Sequence, residues 1–204
     1  MRNKVEHALE SAGLTMDHIA SHSEQVILFG SCAAGCDTRD SDVDLLCVGD
    51  GKRTDTGRLH LLWISPSSLS DPDWLGSEIG GHVSEYGIWL KGKRTLGPPQ
   101  KPSSRTLQKK RNRIIDRASV LKQKWPLLSQ GFKKDQLRSL RLDLQRYEML
   151  NNFAPVAPNP MLDERWTQQR NRKEWLKTLV GSDTELSSAL RGVASKASSS
   201  WPFR

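Results

Sequence analysis

Cysteine is scarce in this chain. Cys32, Cys36 and Cys47 are its only three in 204 residues, an odd number with no second CxxC and no paired histidines nearby. That excludes a disulfide framework and a structural zinc site, and it fits a reducing, cytoplasmic setting. Long apolar runs are missing as well. No segment approaches the roughly 18–20 residues needed to cross a bilayer, so no membrane association is expected. The first twenty residues mix charges with apolar positions and lack the hydrophobic core of a secretory signal. Aromatic residues make up only 6%, although seven of them are tryptophans, most expected as core or interdomain anchors and one able to stack on a base.

Charge of each sign is absent from one half of the chain more than the other. Residues 1–90 carry 6 Lys and Arg against 14 Asp and Glu, and residues 91–204 carry 25 against 9. The balances of −8 and +16 sum to the net charge of +8. An acidic half is thus joined to a strongly basic one, which points to a polyanionic partner for the second half or to helices with solvated basic faces.

The order of elements reads as α+β. An amphipathic helix is expected over residues 3–20, weakened by Gly13. The apolar run from Gln25 to Phe29 predicts a strand ending at Gly30-Ser31. A second strand is expected over residues 42–48, a polar loop over 49–57 and a third strand over 59–64. A helix follows from Asp71 to about Glu85, and Tyr86 to Leu90 predicts another strand; His82 and Tyr86, four apart, share a helix face if the helix extends that far, with structural packing as their expected role. Gly97-Pro-Pro and Pro102-Ser-Ser mark a break. Beyond it Leu107, Ile114, Ala118 and Leu121 lie along one helix, and Leu137, Leu140, Leu144, Tyr147 and Leu150 along a second that also carries Arg138 and Arg141. A third helix is expected over 161–178. The expected organisation is a mixed sheet-and-helix domain over 1–95, a linker over 96–104, a basic helical domain over 105–180 and a weakly ordered tail over 181–204.

The chemistry concentrates between Phe29 and Leu46. Gly30-Ser31 stands where a strand gives way to a helix, a place where unpaired N–H groups and a glycine let a phosphate approach closely. Asp42 and Asp44 are one residue apart on a strand, so period-two geometry turns both carboxylates to one face with Val43 behind them. Two hard oxygen donors opposite a phosphate cradle suit Mg²⁺ bridging a nucleoside triphosphate.

Residues 25–90 resemble the polymerase β-type nucleotidyltransferases, whose signature is Gly-Ser followed ten residues later by Asp-x-Asp. The likeness is greatest to the minimal and aminoglycoside nucleotidyltransferases. It implies a small mixed sheet with flanking helices followed by a helical C-terminal domain. It implies that Gly30 and Ser31, with Ser41 nearby, hold the triphosphate, and that Asp42 and Asp44 bind two metal ions, Mg²⁺ or alternatively Mn²⁺. The implied reaction moves a nucleoside monophosphate from an NTP, expected to be ATP, to an acceptor and releases pyrophosphate. An RNA end is the acceptor favoured by the charge reversal, with a protein hydroxyl next, as in the minimal transferases of toxin–antitoxin pairs. Lys91 and Lys93, with Arg94, are candidates to reach triphosphate oxygens.

One position departs from the family. Its members usually carry a third carboxylate on the next strand, where this chain has His60. A histidine can accept a proton near neutral pH but is a poor Mg²⁺ ligand. Either His60 serves as a catalytic residue, or the chain is an impaired nucleotide-binding regulator that grips nucleic acid or an acidic partner protein. Asp55 can substitute only if the third strand begins earlier than residue 58.

Overall fold

The computed structural model describes residues 2–196, and in it the chain is α+β with two compact units. The first holds the chain up to Pro102 together with Phe153–Met161, and the second holds Ser103–Asn152 and the chain from Leu162 onward. None of the helices among the described residues is long and apolar enough to cross a membrane.

The first unit is built on a five-stranded sheet. Its strands are β1 (Ser23–Phe29), β2 (Val43–Gly49), β3 (Thr54–Thr56), β4 (Leu59–Ile64) and β5 (Ile88–Lys91), in the order β3-β4-β2-β1-β5. Only β2 and β4 run parallel. The unbroken apolar run Leu45-Leu46-Cys47-Val48 makes β2 a central strand, because a strand covered on both faces has no solvent side to keep polar. One face packs Val26, Leu28, Val43, Leu45, Cys47 and Leu59 against α1 (Arg2–Ser11) and α2 (Met16–Ser21). The other face packs Ile27, Leu46 and Val48 against Leu69 and Val83, which lie in a 3-10 helix (Pro66–Ser70) and in a helix that follows it. The single helix expected over 3–20 is two, since Gly13 turns the chain at φ +70° between them.

The expected helix over 71–85 is also divided, into α4 (Pro72–Leu75) and α5 (Glu78–Tyr86). Ser77 caps the second by accepting the Gly80 N–H at 3.0 Å. The chain packs too closely there for anything but glycine, as a Cβ on Gly80 would lie 2.1 Å from the Trp74 carbonyl oxygen. Between β1 and β2 lies a single helical turn, α3 (Gly30–Ala33). The loop expected over 49–57 contains β3, a short edge strand paired antiparallel to β4. It is three residues long and exposed or half-exposed, so no apolar alternation announces it.

The second unit is helical: α6 (Ser104–Lys124), α7 (Gln130–Asn151), α8 (Asn159–Gln168), α9 (Arg172–Val180) and α10 (Thr184–Ala194), with α8 beginning in the returning segment of the first unit. The third helix expected over 161–178 is thus two, because Asn171 caps a new start by accepting the Glu174 N–H. The expected tail over 181–204 needs correction in its first part. Leu186, Leu190 and Val193 of α10 are buried against Ile114, Ala118, Leu140 and Leu144. Residues 197–204 lie outside the described residues.

Several of the basic residues are consumed inside this unit. Arg138 and Arg141 both pair with Asp163, and the guanidinium groups of Arg141 and Arg172 lie over the Trp166 ring at 5.4 and 4.6 Å. Trp166 is therefore covered and offers no platform to a base. Asp183 joins α6 to α10: it accepts the Arg111 Nε and Nη2 hydrogens at 2.5 and 2.8 Å and caps α10 by accepting the Leu186 N–H at 3.0 Å. The Arg111 guanidinium holds the Asp183 carboxyl below the usual carboxylate range. Because the folded value is lowered, its stabilisation is complete above the unfolded value of about 4 and disappears as pH falls through the folded one. Asp183→Asn is expected to cost about 2 kcal/mol at neutral pH. Denaturant melts of the two proteins should converge as the pH is lowered into the acid range.

Candidate active site

The site forms where β1 ends. Phe29 is the register partner of Asp44 on β2, and the next residue, Gly30, turns the chain at φ +74° into α3. A Cβ on Gly30 would stand 2.0 Å from Asp44 Oδ2, so the Gly-Ser turn and the second aspartate are in direct contact and only glycine fits. Asp42 lies one residue ahead of β2 and is half-buried. Val43 between the two acids is buried against the α1 side, and alternation places Asp42 and Asp44 on the opposite face. The backbone carbonyl of Asp42 also accepts the Cys32 Sγ–H at 3.2 Å, which ties α3 to the acidic strand.

Burial pushes the Asp44 carboxyl above the usual carboxylate range; the hydrogen bond and charge of His60 pull it down, and the charge of Asp42 pushes it up again. His60 Nδ1 lies 3.1 Å from Asp44 Oδ1, as their pairing in the parallel β2–β4 register requires. Since a carboxylate only accepts, Nδ1 donates, and in the neutral ring Nε2 keeps its lone pair.

Asp55 stands opposite His60 in the β3–β4 pairing. Directly opposed residues share a face, so Asp44, His60 and Asp55 form a row across three strands. The Asp55 carboxylate is engaged by Arg53 Nε at 2.8 Å.

Two of the expected triphosphate contacts are displaced. Lys91 donates to the carbonyls of Ala20 and Ser23, and its register partner is Val26, toward the end of β1 remote from Gly30. Lys93 follows Gly92, which packs on Glu24 and Gln25 at that same remote end. The antiparallel direction of β5 is the cause: it carries the chain away from the Gly-Ser turn after Ile88. Ser41 caps its own loop, its hydroxyl accepting the Thr38 N–H at 2.8 Å. The turn itself holds a further correction. The Gly30 N–H, read from sequence as unpaired, donates to Nε2 of His82 at 3.1 Å. His82 is the residue that sequence reasoning did not bring to the site, its only signal being its helical spacing from Tyr86, whose ring lies 4.9 Å away; Asp55, read as a substitute only on an earlier start of the third strand, instead stands on the separate strand β3.

Among the described residues no group of three or more His, Cys, Asp or Glu is arranged to hold a metal ion. The donor chemistry at Asp42 and Asp44 nevertheless fits one Mg²⁺, an ion commonly held by one or two carboxylates plus substrate phosphates. The expected second ion lacks its third carboxylate, because His60 fills that place and its Nδ1 is turned to Asp44.

Comparison with known proteins bears on the same residues. No curated protein matches the sequence. The family model described as a nucleotidyltransferase domain matches residues 16–145, which takes in the turn, both aspartates and His60. With that match running over more than half of the chain, and the Gly-Ser turn packed against the second acid inside it, the protein belongs to the nucleotidyltransferase domain family of the polymerase β type.

Proposed function

We propose that the chain transfers a nucleoside monophosphate, AMP in the first instance, from an NTP to an acceptor hydroxyl with release of pyrophosphate. The contact between Gly30 and Asp44 carries this reading, because it puts a phosphate-sized turn against a carboxylate of the kind that would hold a phosphate-neutralising divalent cation. Asp42 and Asp44 would hold a divalent ion that, when bound, offsets the charge of the triphosphate. Ser31 would hold the phosphates through the turn. The acceptor oxygen attacks the α-phosphorus, the bond to the β-phosphate bridging oxygen breaks, and the acceptor proton passes to Nε2 of His60.

His60 suits that last task better than metal binding. Its Nδ1–H is directed to Asp44, which fixes the ring and stabilises the imidazolium that forms. Replacing it with alanine is expected to slow turnover by about 10²–10⁴-fold while ATP affinity stays within a few fold of the parent. With aspartate at the same position, the acid limb of the pH–rate profile should move to lower pH, as a carboxylate replaces an imidazole. An unchanged profile in that variant would remove the proton-transfer role.

An RNA end is the favoured acceptor. Arg105, Lys109 and Arg113 recur every four residues along one exposed stripe of α6, and such a stripe suits a phosphate backbone. Incubation with Mg²⁺, α-labelled ATP and total RNA should put label into RNA, with binding that weakens steeply as salt rises. Label appearing only in protein would make a protein hydroxyl the acceptor.

The imidazole in place of a third acid favours a second reading, that of a regulator which binds nucleotide without turning it over and grips nucleic acid or an acidic protein through its basic helices. It predicts saturable ATP binding with no pyrophosphate released under Mg²⁺ or Mn²⁺, so released pyrophosphate disposes of it.

A further inference from the structure

His82 lies in α5, 8% exposed, outside the acids and the Gly-Ser turn that the family signature names. Its two ring nitrogens are both engaged, on different parts of the first unit. Nδ1 is 2.6 Å from the carbonyl oxygen of Val156, and a carbonyl only accepts, so Nδ1 carries the ring proton. Nε2 then has a lone pair, and it accepts the Gly30 N–H at 3.1 Å. The tautomer is set by these partners.

The ring is also held laterally. Phe29, the residue before the turn, meets it edge-on with ring centroids 6.2 Å apart, and Tyr86 lies against it at 4.9 Å. Val156 is itself buried and belongs to Phe153–Met161, the stretch that rejoins the first unit after the chain has made α6 and α7. One side chain therefore spans from the turn that touches Asp44 to a segment more than 120 residues later in the chain.

We propose that His82 is a positioning residue for the triphosphate turn. It occupies the Gly30 amide, fixes that amide's direction relative to Asp44, and anchors the turn to the returning segment through Val156. Gly30 then contributes room and backbone direction to phosphate binding, and the hydrogen bonds to phosphate come from Ser31 and the amides after it. The inference rests on the transferase reading above, since it is the triphosphate that the turn is positioned to receive.

Two substitutions separate the two ring nitrogens. His82→Asn keeps a donor near the place of Nδ1, within reach of Val156, and loses the acceptor for Gly30. His82→Gln reaches the place of Nε2, keeps an acceptor for Gly30 and loses the bond to Val156. Mg-ATP affinity of the full chain is measured by calorimetry, with the melting temperature of each variant and hydrogen exchange at the Gly30 amide recorded alongside. The expected result is about a tenfold or greater weakening for Asn, affinity within about threefold of the parent for Gln, and similar losses of melting temperature for both. The Gly30 amide should be protected in the parent and in the Gln variant and should exchange freely in the Asn variant. Equal affinities for the Asn variant and the parent, with ATP bound by both, would overturn this inference alone. So would losses that simply follow melting temperature, or an unprotected Gly30 amide in the parent. A parent that binds no Mg-ATP at millimolar concentration would instead remove the transferase reading, and this inference with it.

Discussion

Asp143→Ala is expected to destabilise the helical unit by about 3–5 kcal/mol. Asp143 is 1% exposed and faces Lys110, which is 6% exposed, with Nζ 2.8 Å from Oδ1. Arg117 stands 3.1 Å from Oδ2, an ion pair outside hydrogen-bonding geometry, and Arg146 stands 3.7 Å from Oδ1. Removing the carboxylate takes a buried counter-charge away from the Lys110 ammonium and two guanidinium groups. The cost comes from the loss of that counter-charge, since intact buried pairs contribute little net stability. A double-mutant cycle checks this. Asp143→Ala in a Lys110→Met background should cost markedly less than in the parent, and equal costs in the two backgrounds would show that lost packing is responsible.

Gly30→Ala is expected to lower transfer by at least about 100-fold. Two effects combine at this position. The backbone is left-handed at φ +74°, which costs a residue bearing a Cβ roughly 1–2 kcal/mol. The new carbon would also fall 2.0 Å from Asp44 Oδ2, so the turn or the carboxylate must move. Gly35 separates the two effects. It has φ +68° and nothing within 4 Å of its would-be Cβ, so Gly35→Ala carries the backbone strain without the collision. Its transfer rate should stay within a few fold of the parent. Similar rates in the two variants would mean that the contact with Asp44 has no catalytic weight.

The sequence makes the centre of the site legible because its logic is local. Alternation along one strand sets Asp42 and Asp44 on a common face whatever the rest of the chain does, and a glycine after an apolar run announces a turn. The unbroken run Leu45 to Val48 likewise identifies a strand covered on both sides. What local pattern does not carry is register between strands. That Asp55 stands opposite His60 depends on how β3 closes onto β4, and that Lys91 points away depends on the antiparallel course of β5. His82 meets Gly30 across 52 positions and Val156 across 74, and no periodicity reports contacts of that kind. Charge counting does not locate the basic surface, for a related reason. Lys110, Arg111, Arg117, Arg138 and Arg141 are among the 25 cations of the second half, yet each faces an acid within its own unit. The exposed cations that remain for a polyanion are better represented by Arg105, Lys109 and Arg113. The helix α10 reads from sequence only as a weak helix or a disordered tail, because Ser and Ala dominate the end of the chain and the burial of Leu186, Leu190 and Val193 comes from α6 and α7.

The most direct test compares the parent with the Asp42→Ala, Asp44→Ala double variant in a single assay: α-labelled ATP, Mg²⁺ and total RNA, with covalent label and pyrophosphate followed together. The parent should release one pyrophosphate for each label transferred, and the double variant should do neither above background while keeping a cooperative melt. Transfer by the double variant at the parent's rate would place the chemistry elsewhere in the chain and contradict the site described for it.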